Sequence, residues 1–116
     1  MENQNKEVEL VVGKLFSVTP LKAVAFDSEG KMHFENRPLA EGLSIEVNEG
    51  DSSIIVETLE WEDDEIQLKP VGFRFQKLMQ KIIEKYDAVH VRALLDEYLN
   101  CVNFAKNAIE DARGIL

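Results

Sequence analysis

Few side chains in this 116-residue sequence suit acid–base, nucleophilic or metal chemistry, because it holds two histidines and one cysteine. His33 and Glu35 would share a strand face and could supply two metal ligands, but no third ligand stands near them in sequence. His90 falls early in a predicted helix, where the helix dipole disfavours the imidazolium. Cys101 flanks an apolar helical stripe, which favours a small buried side chain over a nucleophile. We therefore predict no catalytic and no metal-ligating residue.

Nucleotide and calcium motifs are missing as well. The six glycines are scattered singly, so the sequence contains neither a P-loop nor a GxGxxG turn. The acidic run from Glu60 to Glu65 lacks the glycine that an EF-hand loop requires at its sixth position. The sequence therefore predicts a non-enzymatic protein that uses no cofactor.

Acidic residues are concentrated in the first part of the chain. The net charge is -9, because residues 1–70 have a net charge of -10 and residues 71–116 have a net charge of +1. Ten acids and no lysine or arginine lie between Arg37 and Lys69, where apolar residues are threaded among the acids. We expect this stretch to fold with its acids on a solvent face, because a disordered acidic segment would be poor in apolar residues.

An acidic folded surface would attract a positively charged groove and speed its encounter with the protein. Such grooves are common on nucleic-acid-binding proteins, so we predict an interaction module that binds a basic protein, as an inhibitor, an immunity protein or a viral accessory protein would. The same charge disfavours direct binding to nucleic acid and to anionic membranes. The predicted partner-binding face consists of Glu46, Glu49, Asp51, Glu57, Glu60, Glu62, Asp63, Asp64 and Glu65.

The first seventy residues read as strands. Apolar and polar residues alternate from Val8 to Val12 and from Leu43 to Asn48, the period of an antiparallel sheet with one wet face. The segments 22–26 and 31–35 flank an Asp27–Gly30 turn and form the clearest hairpin. Since no long helical segment separates the strands, we predict an antiparallel sheet of five to seven strands, as a meander or small open barrel.

The remaining residues predict two helices, so the fold class is α+β in a single domain of residues 1–116, with a C-terminal helical hairpin. The first helix spans about residues 72–86, and the second begins after an Asp87 N-cap and spans about 88–113. The second helix carries a heptad seam formed by Val91, Leu95, Tyr98, Val102, Ala105 and Ile109. A helix of this length outreaches five-residue strands of about 17 Å, so the seam packs within the chain or forms a homodimer.

Four cations of the first helix share one stripe, because they are spaced three or four residues apart: Arg74, Lys77, Lys81 and Lys85. A solvated face is the simpler interpretation of this stripe. The alternative is contact with an anionic group or with the acidic sheet of a second copy.

Two further functions stay open. One is an assembly subunit or chaperone that oligomerises through the last helix. The other is a small-ligand binder with a pocket between sheet and helices, lined by Phe26, Phe34, Trp61 and Phe75. A polar start, no apolar run of the roughly 18 residues a membrane span needs, and a lone cysteine predict a cytoplasmic protein.

Overall fold

The computed structural model describes residues 10–11 and 14–115, in which strands come first and helices last. The strands are β1 (Leu10–Val11), β2 (Phe16–Pro20), β3 (Lys22–Phe26), β4 (Met32–Asn36), β5 (Gly42–Glu49), β6 (Ser52–Glu62) and β7 (Glu65–Pro70). The helices are α1 (Arg74–Lys85) and α2 (Ala88–Ile115). The predicted α+β class and the order of its parts are confirmed. The strand predicted from Val8 to Val12 lies largely outside the described residues.

Five of these strands form one antiparallel sheet in the order β1-β2-β5-β6-β7. Strands that are neighbours in the sheet are also neighbours in sequence, except that β3 and β4 are inserted between β2 and β5. The inserted pair forms a separate two-stranded sheet. The main sheet therefore has the smallest strand count of the predicted range, and its connections are those of an interrupted meander.

The β3–β4 hairpin turns as predicted. The Asp27 carboxylate accepts hydrogen bonds of 2.9 Å from the backbone N–H groups of Glu29 and Lys31. Gly30 has a φ of +84°, a left-handed conformation that favours glycine. The turn is thus fixed by local chemistry rather than by packing against the main sheet.

The hydrophobic core lies between one face of the main sheet and α2. The sheet contributes Phe16, Val18, Leu43, Ile45, Val47, Val56 and Leu59, and the helix contributes Tyr98, Cys101, Ala105 and Ile109. Strand β6 has 11 residues and spans about 35 Å, so the sheet covers far more of the helix than five-residue strands would.

The predicted oligomer seam is therefore corrected over its C-terminal part. Tyr98, Ala105 and Ile109 are buried against the chain's own sheet, and Val102 packs beside them. Val91 and Leu95, nearer the start of α2, are half-buried, as is Val102. Most of this seam is buried in the intramolecular core, so its side chains are not available to contact a second copy.

The polar face of β5 is not the wet face that the alternation predicts. Ser44 has 0% and Glu46 has 8% of its surface exposed. The Thr19 hydroxyl donates to the Glu46 carboxylate, and the Thr19 and Ser44 hydroxyl oxygens lie 2.8 Å apart. Glu46 is thus a buried, hydrogen-bonded group and is not part of an exposed acidic face.

Glu57 is also buried, but for a different reason. A β-bulge shifts the β5–β6 register at Ile45 and Glu46, so that Val56 is an extra residue on β6. After the bulge Glu57 pairs with Ile45, a core residue, and therefore lies on the helix-covered face. The Tyr98 hydroxyl donates a hydrogen bond to its carboxylate. Glu57, with 6% of its surface exposed, is removed from the predicted partner-binding face.

Gly42, at the start of β5, allows a close approach of two backbones. A Cβ at this position would lie 2.6 Å from the carbonyl oxygen of Leu59 on β6. Any larger residue would push β5 and β6 apart at the point where Gly42 pairs with Glu60, a residue of the predicted partner-binding face.

The two helices begin and end close to the predicted residues. Asp87 is the N-cap of α2, since its carboxylate accepts a 3.0 Å hydrogen bond from the His90 backbone N–H. Helix α2 continues through Gly114 to Ile115. Helix α1 packs beside β6 and leaves its cations directed away from the core.

Candidate binding surfaces

The β6–β7 turn carries four consecutive exposed acids, Glu62, Asp63, Asp64 and Glu65, which we call the acidic tip. Asp63 and Asp64 form a two-residue loop and have φ values of +52° and +64°. Positive φ at both loop residues is the requirement of a type I′ turn, for which Asn-Gly is preferred. Asp-Gly is preferred as well, so Asp63 suits the first position of the loop, whereas Asp64 stands where glycine is favoured.

The acidic tip also places like charges together. Glu62 and Glu65 are direct partners across the β6–β7 ladder, an arrangement that destabilises a hairpin. The Lys69 ammonium compensates Glu62 of this pair, at 2.5 Å from one of its oxygens, and lies 3.9 Å from an oxygen of the neighbouring Glu60. The hydrogen bond to Glu62 raises the pKa of the Lys69 ammonium above its usual value. The strand register thus brings a cation to the edge of a stretch that has none within it in sequence.

The predicted acidic face is split by the fold into two ends. Glu60 stands beside the acidic tip, whereas Glu49 and Asp51 lie at the β5–β6 turn, at the other end of β6. These turns are separated by the length of an 11-residue strand, about 35 Å. With Glu46 and Glu57 buried between them, the acids do not form one continuous surface.

Trp61, the single tryptophan, lies next to the acidic tip. The Arg113 guanidinium of α2 stacks on its ring, 4.7 Å from the ring centroid. Among the described residues the Trp61 indole N–H is a buried donor with no hydrogen-bond partner. This tryptophan is therefore a natural fluorescence reporter for events at the tip.

A second surface is a groove between α1 and the β5–β6 hairpin, with a cavity volume of about 540 Å³. Its floor is apolar and includes Val47, Ile54, Val56 and Leu78. Its rim on α1 carries Arg74, Lys77 and Lys81. Ile54 keeps 39% of its surface exposed in the groove.

A neighbouring cavity of about 400 Å³ continues this groove along α1. The two cavities share Glu49, Leu78 and Lys81, and the second adds Lys14 and Lys85. We call the two together the basic groove. The predicted stripe of four cations is thus brought to the rim of a concave apolar surface, and the sequence pattern gave no sign of the concavity.

The cations of the basic groove are little used within the fold. Arg74 donates a 2.9 Å hydrogen bond to the carbonyl oxygen of Ile55, and the Lys85 ammonium lies 5.6 Å from the centroid of the Tyr86 ring. Lys77 and Lys81 make no ion pair with any residue that the structure describes. Glu49 is the acidic residue among those that line the groove.

The histidines pair with nearby carboxylates rather than with each other. His33 Nε2 lies 2.9 Å from an Asp27 oxygen, and His90 Nδ1 lies 2.7 Å from an Asp87 oxygen. The contact with His33 is the main cause that lowers the pKa of Asp27, and the His90 backbone N–H is the main cause for Asp87. In the described part of the chain no three His, Cys, Asp or Glu side chains converge as a metal site would require.

Cys101 is fully buried in the core. Burial raises the pKa of its thiol to about 11, and the nearby Glu97 adds to that shift. The thiol is therefore protonated at neutral pH and is a poor nucleophile.

The predicted ligand pocket is not formed. Phe26 and Phe34 lie on the separate β3–β4 hairpin with 68% and 65% of their surfaces exposed. Phe75 instead packs on the Tyr98 ring, with centroids 4.5 Å apart, and Trp61 lies at the far end of β6. The four aromatic residues line no common cavity, because the inserted hairpin leaves the main sheet.

Neither α1 nor α2 is both long and apolar enough to cross a bilayer, and these are the helices of the described residues. No family model, no curated protein and no solved structure matches this chain.

Proposed function

We propose that this protein is a non-enzymatic interaction module that binds a basic protein through the acidic tip and the adjoining Glu60. The concentration of acids at one hairpin turn is the observation that carries the proposal: five carboxylates are gathered there, and among the described residues Lys69 is the cation that forms ion pairs with them. Lys106 and Arg113 of α2 lie nearby, so the acids still outnumber the neighbouring cations by five to three. A positively charged cleft on a nucleic-acid-binding partner protein would have the chemistry that matches the acidic tip.

The energetic cost of the acidic tip supports this proposal. Asp64, in left-handed backbone where glycine is favoured, and the cross-strand pair of glutamates each disfavour the folded hairpin. An Asn-Gly loop would provide the same turn without that cost. Retaining acids at such positions is understandable if their charge is used in binding.

The test is the affinity for a labelled oligolysine peptide, measured by fluorescence anisotropy at low and at physiological salt. Neutralising the tip with Glu62→Gln, Asp63→Asn, Asp64→Asn and Glu65→Gln should weaken binding by about tenfold or more at low salt, since each exposed ion pair contributes up to about 1 kcal/mol. Quenching of Trp61 fluorescence by the bound peptide would place the contact at the tip.

A matched control separates local charge from total charge. Glu29→Gln, Glu35→Gln, Glu84→Gln and Asp96→Asn remove the same number of exposed acids elsewhere. At about 0.1 M salt this control should lose less affinity than the tip variant, and less than about threefold, because exposed charges more than a Debye length of about 10 Å away are then screened. Equal losses in the two variants, or binding that does not respond to salt, would overturn the proposal.

A further inference from the structure

We propose that the basic groove binds a long-chain carboxylate, with the headgroup between Lys77 and Lys81 and the alkyl chain along the apolar floor. This site is separate from the acidic tip, and the proposal does not depend on the function proposed for the tip. The groove binds an anionic ligand, whereas the tip binds a cationic one.

The shape of the basic groove suits a chain-like ligand. A volume of about 540 Å³, extended by the adjoining cavity of about 400 Å³, falls in the range of small-molecule sites. The floor offers apolar surface from Ile54, Ile55 and Leu78, which keep part of their surface exposed. An alkyl chain is narrower than a peptide helix, which is about 10 Å across with its side chains, and so fits this volume better.

The charge of the groove selects an anion. Lys77 and Lys81 are one helical turn apart on the same rim, and neither forms an ion pair among the described residues. Arg74 and Lys85 extend the cationic rim on either side, whereas the opposite wall contributes Glu49. A carboxylate between two ammonium groups gains charge-assisted hydrogen bonds, and its chain gains burial.

The net charge of the molecule argues for a single amphiphile rather than a membrane surface. The whole chain carries -9, so an anionic bilayer would be repelled by most of the surface it met. A single ligand molecule meets only the local field of the groove, which the lysines dominate.

The test uses dodecanoate below its micelle concentration and dodecyltrimethylammonium as a probe of equal chain length and opposite charge. Isothermal titration calorimetry should show that one dodecanoate binds per protein. The affinity for the cationic probe should be at least about tenfold weaker than the affinity for dodecanoate. Shortening the carboxylate should reduce the affinity about fourfold for each methylene removed from the floor.

Variants of the rim test the placement of the headgroup. Lys77→Gln with Lys81→Gln should weaken dodecanoate binding by about tenfold, whereas Lys31→Gln with Lys106→Gln changes the net charge equally and should leave it within about twofold. Glu49→Gln should strengthen it about threefold by removing an anion from the wall. Because all five positions are exposed, unchanged circular dichroism is expected for each variant.

Three results would overturn the proposal. These are equal affinities for the two probes, equal losses in the rim variant and its control, and no binding of dodecanoate. Tight binding of an acidic amphipathic peptide in place of dodecanoate would also overturn it and would assign the groove to a protein partner.

Discussion

Glu57 and Tyr98 form the buried polar contact that ties α2 to β6. Tyr98 also stacks edge-on against Phe16 and lies against Phe75, so its ring joins the sheet, α1 and α2. Burial raises the pKa of the Glu57 carboxyl, and the hydrogen bond from Tyr98 opposes that shift. Burial and the neighbouring Glu57 together raise the pKa of the Tyr98 hydroxyl, which therefore remains a donor at all ordinary pH values.

We expect Tyr98→Phe to lower the free energy of unfolding by about 1.5–3 kcal/mol at pH 7, because a buried carboxylate loses its donor. The folded pKa of Glu57 lies above its unfolded value, so the folded state keeps a proton that the unfolded state has already lost. The cost of the buried charge is therefore present at neutral pH and disappears as the pH falls through the folded pKa. The deficit of the variant should shrink as the pH is lowered towards 5.

Urea unfolding at several pH values measures this deficit. Tyr86→Phe is the matched control, because Tyr86 is exposed at the end of α1 and should tolerate the change within about 0.5 kcal/mol. A deficit that stays constant between pH 7 and pH 5 would mean that the Glu57 charge plays no part in it.

Glu97 shows what residue types and spacing leave out. One oxygen of its carboxylate accepts 2.8 Å hydrogen bonds from the backbone N–H groups of both Leu15 and Phe16. It thereby fastens α2 to the start of β2, more than eighty residues away in sequence. Nothing in the helical pattern distinguishes Glu97 from an ordinary exposed glutamate such as Glu110, since both are acids on α2 outside the apolar seam.

At the scale of elements, caps, turns and helices could be predicted from neighbouring residues, whereas the register of paired strands could not. The Asp87 N-cap, the Asp27–Gly30 turn and the two helices follow from neighbouring residues and are confirmed. The bulge at Val56 cannot be read from β6 itself, because it depends on how β5 pairs with it. Glu57 and Leu59 both follow the bulge and share one face of β6, and the bulge sets the register in which that face pairs with the core residues Ile45 and Leu43 of β5.

We expect the β6–β7 hairpin to become more stable when the aspartates of the acidic tip are replaced. We expect Asp63→Asn with Asp64→Gly to raise the free energy of unfolding by about 1 kcal/mol, because both residues have positive φ and Asn-Gly suits that loop. Asp63→Asn with Asp64→Asn removes the same charge but keeps a side chain at both positions, so its gain should be smaller. Thermal unfolding of the three proteins at equal salt makes the comparison.

If the Asn-Gly variant is less stable, the positive φ values of the Asp63–Asp64 loop do not lower the stability of the hairpin. If it is instead more stable and binds oligolysine more weakly, stability and binding oppose each other at the tip. That opposition is what the proposed function predicts, since the charge retained in the loop then has a use outside the hairpin.

At the scale of the whole molecule, the net charge of -9 hides two surfaces of opposite sign. The acidic tip ends β6, and the basic groove lies over the first residues of the same strand. From Ile55 to Glu62 the strand runs about 23 Å. Composition predicts the sign of the first surface and the helical stripe predicts the cations of the second, but only the fold places them at opposite ends.

This separation leads to a prediction about coupling. Saturating the basic groove with dodecanoate should change the affinity of oligolysine for the acidic tip by less than about twofold at physiological salt, because about 23 Å exceeds a Debye length of about 8 Å. At about 0.01 M salt the Debye length is about 30 Å, so the added carboxylate should strengthen oligolysine binding measurably. Linkage requires that oligolysine strengthen dodecanoate binding by the same factor.

Anisotropy titrations of oligolysine with and without dodecanoate, at both salt concentrations, measure that factor. Glu49→Gln is the useful reference, since it alters the groove charge without a ligand and should shift oligolysine binding in the opposite direction at low salt. Coupling that persists at physiological salt would show that the two surfaces communicate through the packing of β6 rather than through their charges. Coupling of the opposite sign at low salt would mean that the two ligands compete for one surface, and the assignment of separate sites would then be wrong.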